Sequence, residues 1–393
     1  MKRALANFNY ISFFAMLALI AVGTTAIWSA GNARDLEAFH EMWIKNLTTA
    51  GIGMVIYFMF AFSDYRKILK WTSLISYLGA IAMLILVLVV GDTVFGGKRW
   101  LWFFQPSEIS KICVIMFIAE FFGSDDDTVG FISKKWRRGF RGFLVFSLVL
   151  GVPSLLILAE PDLGTTLTLA PAALMMIYAA KIWRKGLSVL IVIALCFAAI
   201  LIGAIYEAEK PGVSAARREN ILKYVPLRPH QVKRVKVFLF PEDDLRGAGY
   251  TLRQSKISIG SGGFEGKGIG KAETNSLKYL PPAISMNDFI FCVWAEETGY
   301  RGTRALLWLF ALLLLPGPYI ALRTADARGQ LLVLGITTLV FAHVYINIGM
   351  AIGLVPITGL PLPFISSGRT FLITVMAAFG LIQSVSIHRE EKI

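Results

Sequence analysis

Charge is scarce in this sequence. Of its 393 residues only 17% are Asp, Glu, Lys or Arg while 56% are apolar, against about 25% charged in ordinary soluble domains. That balance excludes a water-soluble globular fold. Cysteine is scarcer: Cys113, Cys196 and Cys292 lie scattered in apolar stretches, with no CxxC and no even-numbered set in an outer loop, so no disulfide is expected. The four histidines, His40, His230, His343 and His388, stand far apart and lack metal-ligand spacing, so no metal site is indicated. The one glycine-rich run fits neither GxGxxG nor GxxxxGK[ST], which excludes a nucleotide loop. No nucleic-acid partner is expected.

Long apolar windows are abundant. The clearest run from Trp71 to Val90, Leu187 to Tyr206 and Leu331 to Leu354, each with the ~20 residues that cross a bilayer core. Backbone groups in lipid must pair internally, so these segments are helices. The pattern predicts an all-α integral membrane protein, a single polytopic domain over 1–393. Its ten transmembrane helices fall at about 11–29, 46–62, 71–90, 105–123, 142–159, 163–180, 187–206, 288–322, 331–353 and 370–387. The first follows Lys2 and Arg3 and reads as a retained signal anchor. With both termini cytoplasmic, the inner segments hold 17 Lys and Arg and the short outer loops only five, Arg34, Lys45, Lys98, Arg99 and Arg369. This is the positive-inside bias.

Between helices 7 and 8 lies one large extracytoplasmic loop, 207–287, with 14 basic and eight acidic residues. Such a surface attracts lipid headgroups or an anionic substrate. Within it, Gly260 to Gly270 holds six glycines. Close approach of backbone amides to an anion is one reading, and a flexible turn is the one expected here.

Ionisable groups at membrane depth are costly and so mark candidate sites. Glu108 and Lys111, three apart at the start of the fourth span, share a helical face and can pair; a structural ion pair and a functional pair both fit. Asp162 opens the sixth span, where capping accounts for it as well as function does. Asp288 joins the large loop to the eighth span, which continues through Glu296, Glu297 and Gly299. A helix N-terminus would lower its pKa, whereas the apolar neighbours Phe289 and Phe291 would raise it. His343, inside a span, reads as a hydrogen-bonded interhelical residue.

In order along the chain stand Gly97-Lys98-Arg99-Trp100, Gln105-Pro106-Ser107-Glu108 with Lys111, and Glu160-Pro161-Asp162-Leu163-Gly164-Thr165. Arg234 with Phe238 to Pro241, Gly249-Tyr250 and Ile259 to Gly263 follow, then Leu280-Pro281 and Asp288-Phe289-Ile290-Phe291 with Glu296-Glu297 and Gly299. The last block is Asn347-Ile348-Gly349-Met350 through Leu362-Pro363-Phe364. Over nearly its whole length the chain resembles the SEDS family, which includes RodA, FtsW and SpoVE. The resemblance implies ten membrane helices and a peptidoglycan glycosyltransferase of the bacterial plasma membrane acting on lipid II, partnered by a class B penicillin-binding transpeptidase. It places the family's essential loop aspartate on Asp288, and Glu108, Lys111 and Asp162 on polar cavity positions. Arg99, Arg234, Lys111 or a divalent cation are candidates to meet pyrophosphate charge. A lipid flippase and a non-catalytic scaffold are the alternatives, and Asn347 to Met350 leans toward the RodA branch over the division branch. Two departures stand out. The segment 280–287 before Asp288 is longer than the family's and lacks its Glu, His and Thr, and the family's SYGGS appears as Ser366-Ser367-Gly368-Arg369-Thr370, with a cation at 369.

Overall fold

The computed structural model describes residues 6–32, 37–94, 97–102, 104–126, 128–129, 132–160, 162–210, 212–225, 229–244, 247–273 and 282–390. It is an all-helical integral membrane fold. The helices are α1 (Tyr10–Asn32), α2 (Met42–Phe62), α3 (Tyr65–Val90), α4 (Pro106–Gly123), α5 (Gly139–Ala159), α6 (Leu163–Ala179) and α7 (Arg184–Glu209). Four shorter ones follow, α8 (Ala215–Lys223), α9 (Pro229–Leu239), α10 (Ala248–Ser261) and α11 (Pro282–Met286). The chain ends with α12 (Ile290–Leu314), α13 (Pro316–Arg323), α14 (Ala327–Ile352) and α15 (Arg369–His388). Among the described residues, strands form only two two-stranded hairpins, Asp92–Val94 with Gly97–Trp100 and Thr128–Val129 with Ile132–Ser133.

Local chemistry sets the helix ends. Asp64 and Asp326 cap α3 and α14 by accepting from Arg66 N and Arg328 N, and α14 stops at Gly353 in the left-handed conformation. Pro153 and Pro171 sit inside α5 and α6, a placement that membrane helices tolerate.

Every expected span is helical, and eight stretches are long and apolar enough to cross a membrane: α1, α2, α3, α5, most of α7, Ile290–Arg323, α14 and α15. The other two fall short for different reasons. α4 carries Glu108, Lys111 and Glu120 within 18 residues, and α6 has only 17 residues. The charged helix is the innermost one, with 16 of its 18 residues buried. It packs against α3, α14 and α15, so its charges meet protein rather than lipid.

Two features were not expected. The window 288–322 lies in one long apolar stretch, Ile290–Arg323, but is not one straight helix, because Gly299 has φ 63° and ψ −160° and breaks α12 into two arms. Among its described residues the large loop carries four helices, α8, α9, α10 and α11, and α10 packs on α12 and α14.

Candidate active site

Asp288 ends the segment after α11. The N-cap of α12 is Phe289, with no side-chain cap bond, so the Asp288 carboxyl is not spent on capping. Its backbone is pinned from two directions. Asn347 Nδ2, on α14 and fully buried, donates to the carbonyls of Asp288 at 2.9 Å and Leu360 at 2.6 Å. Ser366 Oγ donates to Asn287 O at 2.6 Å, and Ser367 Oγ to Asn287 Oδ1 at 2.5 Å. Buried carbonyls need such partners, and here they fix the direction in which the carboxyl leaves the chain.

The carboxyl opens on a small cavity of roughly 160 Å³, also lined by Trp100, Gln105, Glu108, Arg369 and Phe371. One turn deeper, Lys111 Nζ lies 2.8 Å from Glu108 Oε2 and 2.8 Å from His343 Nε2. All three residues are at most 3% exposed. His343 is therefore the interhelical partner expected of it, and what it holds is the candidate Lys111. On the other flank, Asp162 caps α6 through Thr165 N at 3.1 Å and Thr165 Oγ1 at 2.7 Å, and also receives Gln105 Nε2 at 3.1 Å. Arg99, carried on the second strand of the first hairpin, donates from Nε to Glu160 O at 3.1 Å. Arg234, on α9, donates to Thr358 O at 2.9 Å.

These groups act on one another. Burial raises the Asp288 pKa to about 6, against the pull of Arg234 and Arg99 and with a push from Asp162. Desolvation thus outweighs the favourable charges. Burial, and then Arg99, lower Arg234. Glu160, fully buried with both carboxyl oxygens lacking a hydrogen-bond partner, is pushed up to about 8 by burial and then by Asp162. Every sequence-level candidate, Arg99, Glu108, Lys111, Asp162, Arg234 and Asp288, thus belongs to one neighbourhood. Among the described residues, no three His, Cys, Asp or Glu side chains converge as a metal site.

The glycine-rich run forms turns, as expected. Its amides do approach an anion, and that anion belongs to the chain itself. Gly270 N donates to Glu297 Oε1 at 3.1 Å and Glu273 N to Glu296 Oε1 at 3.0 Å. Lys267 Nζ and Ser258 Oγ also bind Glu296, at 2.8 and 2.9 Å, and Ser29 of α1 donates to Glu297. The run folds onto the first arm of α12, where Gly266 and Gly299, both at positive φ, let the two backbones touch. Sequence reasoning missed this anchor and the Asn347 pin. The signal available for the anchor was two consecutive acids in an otherwise apolar helix.

This fold and neighbourhood define a polytopic membrane protein with a carboxylate and cation site seated where a basic loop meets the helix ends. The FtsW/RodA/SpoVE model, a cell cycle protein family, matches residues 10–391, and the chain belongs to that family. It is 34% identical over 379 residues to the peptidoglycan glycosyltransferase MrdB of Escherichia coli K12, covering 95% of this chain and 92% of that one. It is 30% identical over 391 residues to a probable peptidoglycan glycosyltransferase FtsW of Trichlorobacter lovleyi, covering 97% and 94%. Its fold matches, at TM-score 0.71 and 25% identity, a chain from a peptidoglycan synthase complex described as coordinating polymerization and crosslinking, over 97% of this chain and 98% of that one.

Proposed function

We propose that this chain is a peptidoglycan glycosyltransferase that polymerises lipid II, the undecaprenyl-pyrophosphate disaccharide-pentapeptide, on the outer face of the plasma membrane. Its backbone crosses the bilayer ten times, with both termini cytoplasmic and 207–287 outside; the 17-to-five distribution of Lys and Arg supports this. Asp288 takes the proton of the acceptor sugar hydroxyl. The oxygen attacks the anomeric carbon of the lipid-linked donor with inversion, and the bond to pyrophosphate breaks with its electron pair leaving on phosphate. Arg99 and Arg234 meet that charge. Glu108 lines the cavity wall beside it, paired from behind by Lys111.

The observation that carries this reading is the state of Asp288: free of any capping duty, open to a cavity, and held at about 6. A base with that pKa is mostly ionised at pH 7 yet still accepts a proton readily. A class B penicillin-binding transpeptidase is the partner that would crosslink the product, a reading supported by the synthase complex this fold resembles. The elongation role is supported by the Asn347-Ile348-Gly349-Met350 block, which leans toward the RodA branch.

Purified protein given lipid II and no other glycosyltransferase should make glycan strands. Asp288→Asn should lower the rate by about 10²–10⁴-fold. The wild-type rate should climb as pH rises through about 6, because the raised carboxyl acts as base only once deprotonated. Full polymerisation by Asp288→Ala would sink this reading. A flippase would make no polymer at all, and a scaffold would keep cell shape with Asp288→Ala.

A further inference from the structure

At the opposite end of α12 from Asp288, three elements meet without filling the space between them. The chain entering α1, the joint where α12 gives way to α13 and the end of α15 enclose a cavity of roughly 420 Å³, within the ~300–1,000 Å³ of small-molecule sites. Its polar lining is Asn7, Asn9, Tyr319, Ser386 and Arg389, and no Asp or Glu is among the described residues around it. Arg389 is half-buried and tied to the wall: its Nη1 donates to Ser386 Oγ at 3.4 Å, and Ser386 Oγ donates to Asn7 O at 2.8 Å. A second cation stands at the rim. Arg323 is exposed, lays its guanidinium 4.9 Å from the centre of the Tyr319 ring and forms no ion pair among the described residues. The acids nearest the two arginines in sequence, Asp326 and Glu390, are engaged by Arg66.

The apolar part of the wall faces outward. Ile11 is 58% exposed, Leu312 46% and Leu315 66%, and Ile11 and Leu312 lie on stretches long and apolar enough to span a membrane. A water-borne ion gains nothing from such a wall, whereas hydrocarbon chains cover it. Cations beyond the leucines along the chain, with a tyrosine at the boundary, make a surface that complements a phospholipid with an anionic headgroup. A zwitterionic headgroup brings its own cation and gains less from the two arginines. In the topology proposed above this end is cytoplasmic, which puts the site in the inner leaflet.

We propose that this cavity is a site for an anionic phospholipid, with Arg389 and Arg323 on the headgroup phosphate and the acyl chains along Ile11, Leu312 and Leu315. Bound there, the lipid clamps the start of α1 to the α12–α13 joint and to the end of α15. The site stands whether or not the chain polymerises lipid II.

The test titrates the full chain in neutral detergent with dioleoylphosphatidylglycerol or dioleoylphosphatidylcholine, followed by native mass spectrometry. Wild type should hold phosphatidylglycerol more tightly than phosphatidylcholine. Arg323→Gln should weaken phosphatidylglycerol binding about fivefold, and Arg323→Gln with Arg389→Gln about thirtyfold, with phosphatidylcholine binding unchanged. Added phosphatidylglycerol should raise the Tm of wild type and raise that of the double variant less. If Arg389→Gln fails to fold, Arg323→Gln and Arg389→Lys carry the comparison: the first should lose affinity and the second, which keeps the charge, should retain it. Equal affinity for the two lipids, or an undiminished phosphatidylglycerol affinity in the double variant, would overturn the assignment and leave the cavity to a protein segment. Displacement of the lipid by inorganic phosphate alone would identify a plain ion site and overturn it equally.

Discussion

Gly299→Ala should damage this protein out of proportion to one methyl group. At φ 63° and ψ −160°, position 299 occupies backbone space that essentially only glycine uses, and an alanine there costs about 1–3 kcal/mol in strain. Its Cβ would also fall on the Gly266 nitrogen and within 2.8 Å of the Glu265 carbonyl carbon. Those are backbone atoms that no rotamer change can clear, so overpacking adds about 1–3 kcal/mol. The sum is about 2–6 kcal/mol, large for any single substitution. Relief requires the glycine run to lift from Glu296 and Glu297, which loosens the α12 arm that follows Asp288. Tryptophan-fluorescence melting in detergent should therefore show a clear drop in Tm, accompanied by slower polymerisation. Gly266→Ala, whose Cβ would fall on Glu297 O, should produce a similar loss. Because both variants open the same contact, the double variant should lose less than the two losses added together. A Gly299→Ala protein that melts and polymerises like wild type would refute the idea that this contact anchors the arm.

Two further perturbations probe the buried charges. Lys111→Met leaves Glu108 unpaired at 3% exposure and should cost about 3–5 kcal/mol, while Glu108→Leu with Lys111→Met should recover most of that. The recovered double variant then decides between the two roles of the pair: stable and inactive means functional, stable and active means structural. For Glu160, the folded pKa of about 8 lies above the ordinary, unfolded-chain value of 4.5, so the protonated form is the one that folding favours. Its stability contribution is complete below about pH 4.5 and is lost as pH climbs through 8, with a slope of up to about 1.4 kcal/mol per pH unit. Glu160→Gln, which mimics the protonated group, should abolish that slope, and Tm measured from pH 5 to 9 should separate it progressively from wild type. Parallel Tm curves would show that Glu160 ionises freely.

The helices were legible because runs such as Trp71 to Val90 can satisfy their backbone only one way in lipid. Glu108 and Lys111 were legible as a pair because their partner is three residues away. Asp162 was legible as a cap for the same local reason, and the structure gives it Gln105 as well. The partners of His343 and Asn347 were not, since their bonds to Lys111 and to the Asp288 carbonyl bridge segments 232 and 59 residues apart. The break in the eighth window was hidden too. One glycine in an apolar helix is ordinarily tolerated, and only the approach of Gly266 requires its positive φ. What the glycine run binds was hidden as well, because Glu296 and Glu297 come later in the chain.

Helix α14 links two distant places. At its start, Asp326 is bound by Tyr65 Oη at 3.0 Å and faces Arg66 at 3.7 Å; near its end, Asn347 grips the backbone of Asp288. Its 26 residues make a rod of about 39 Å. A shift of this rod at its Tyr65 end would therefore carry Asn347, and with it the backbone of Asp288, in the same direction.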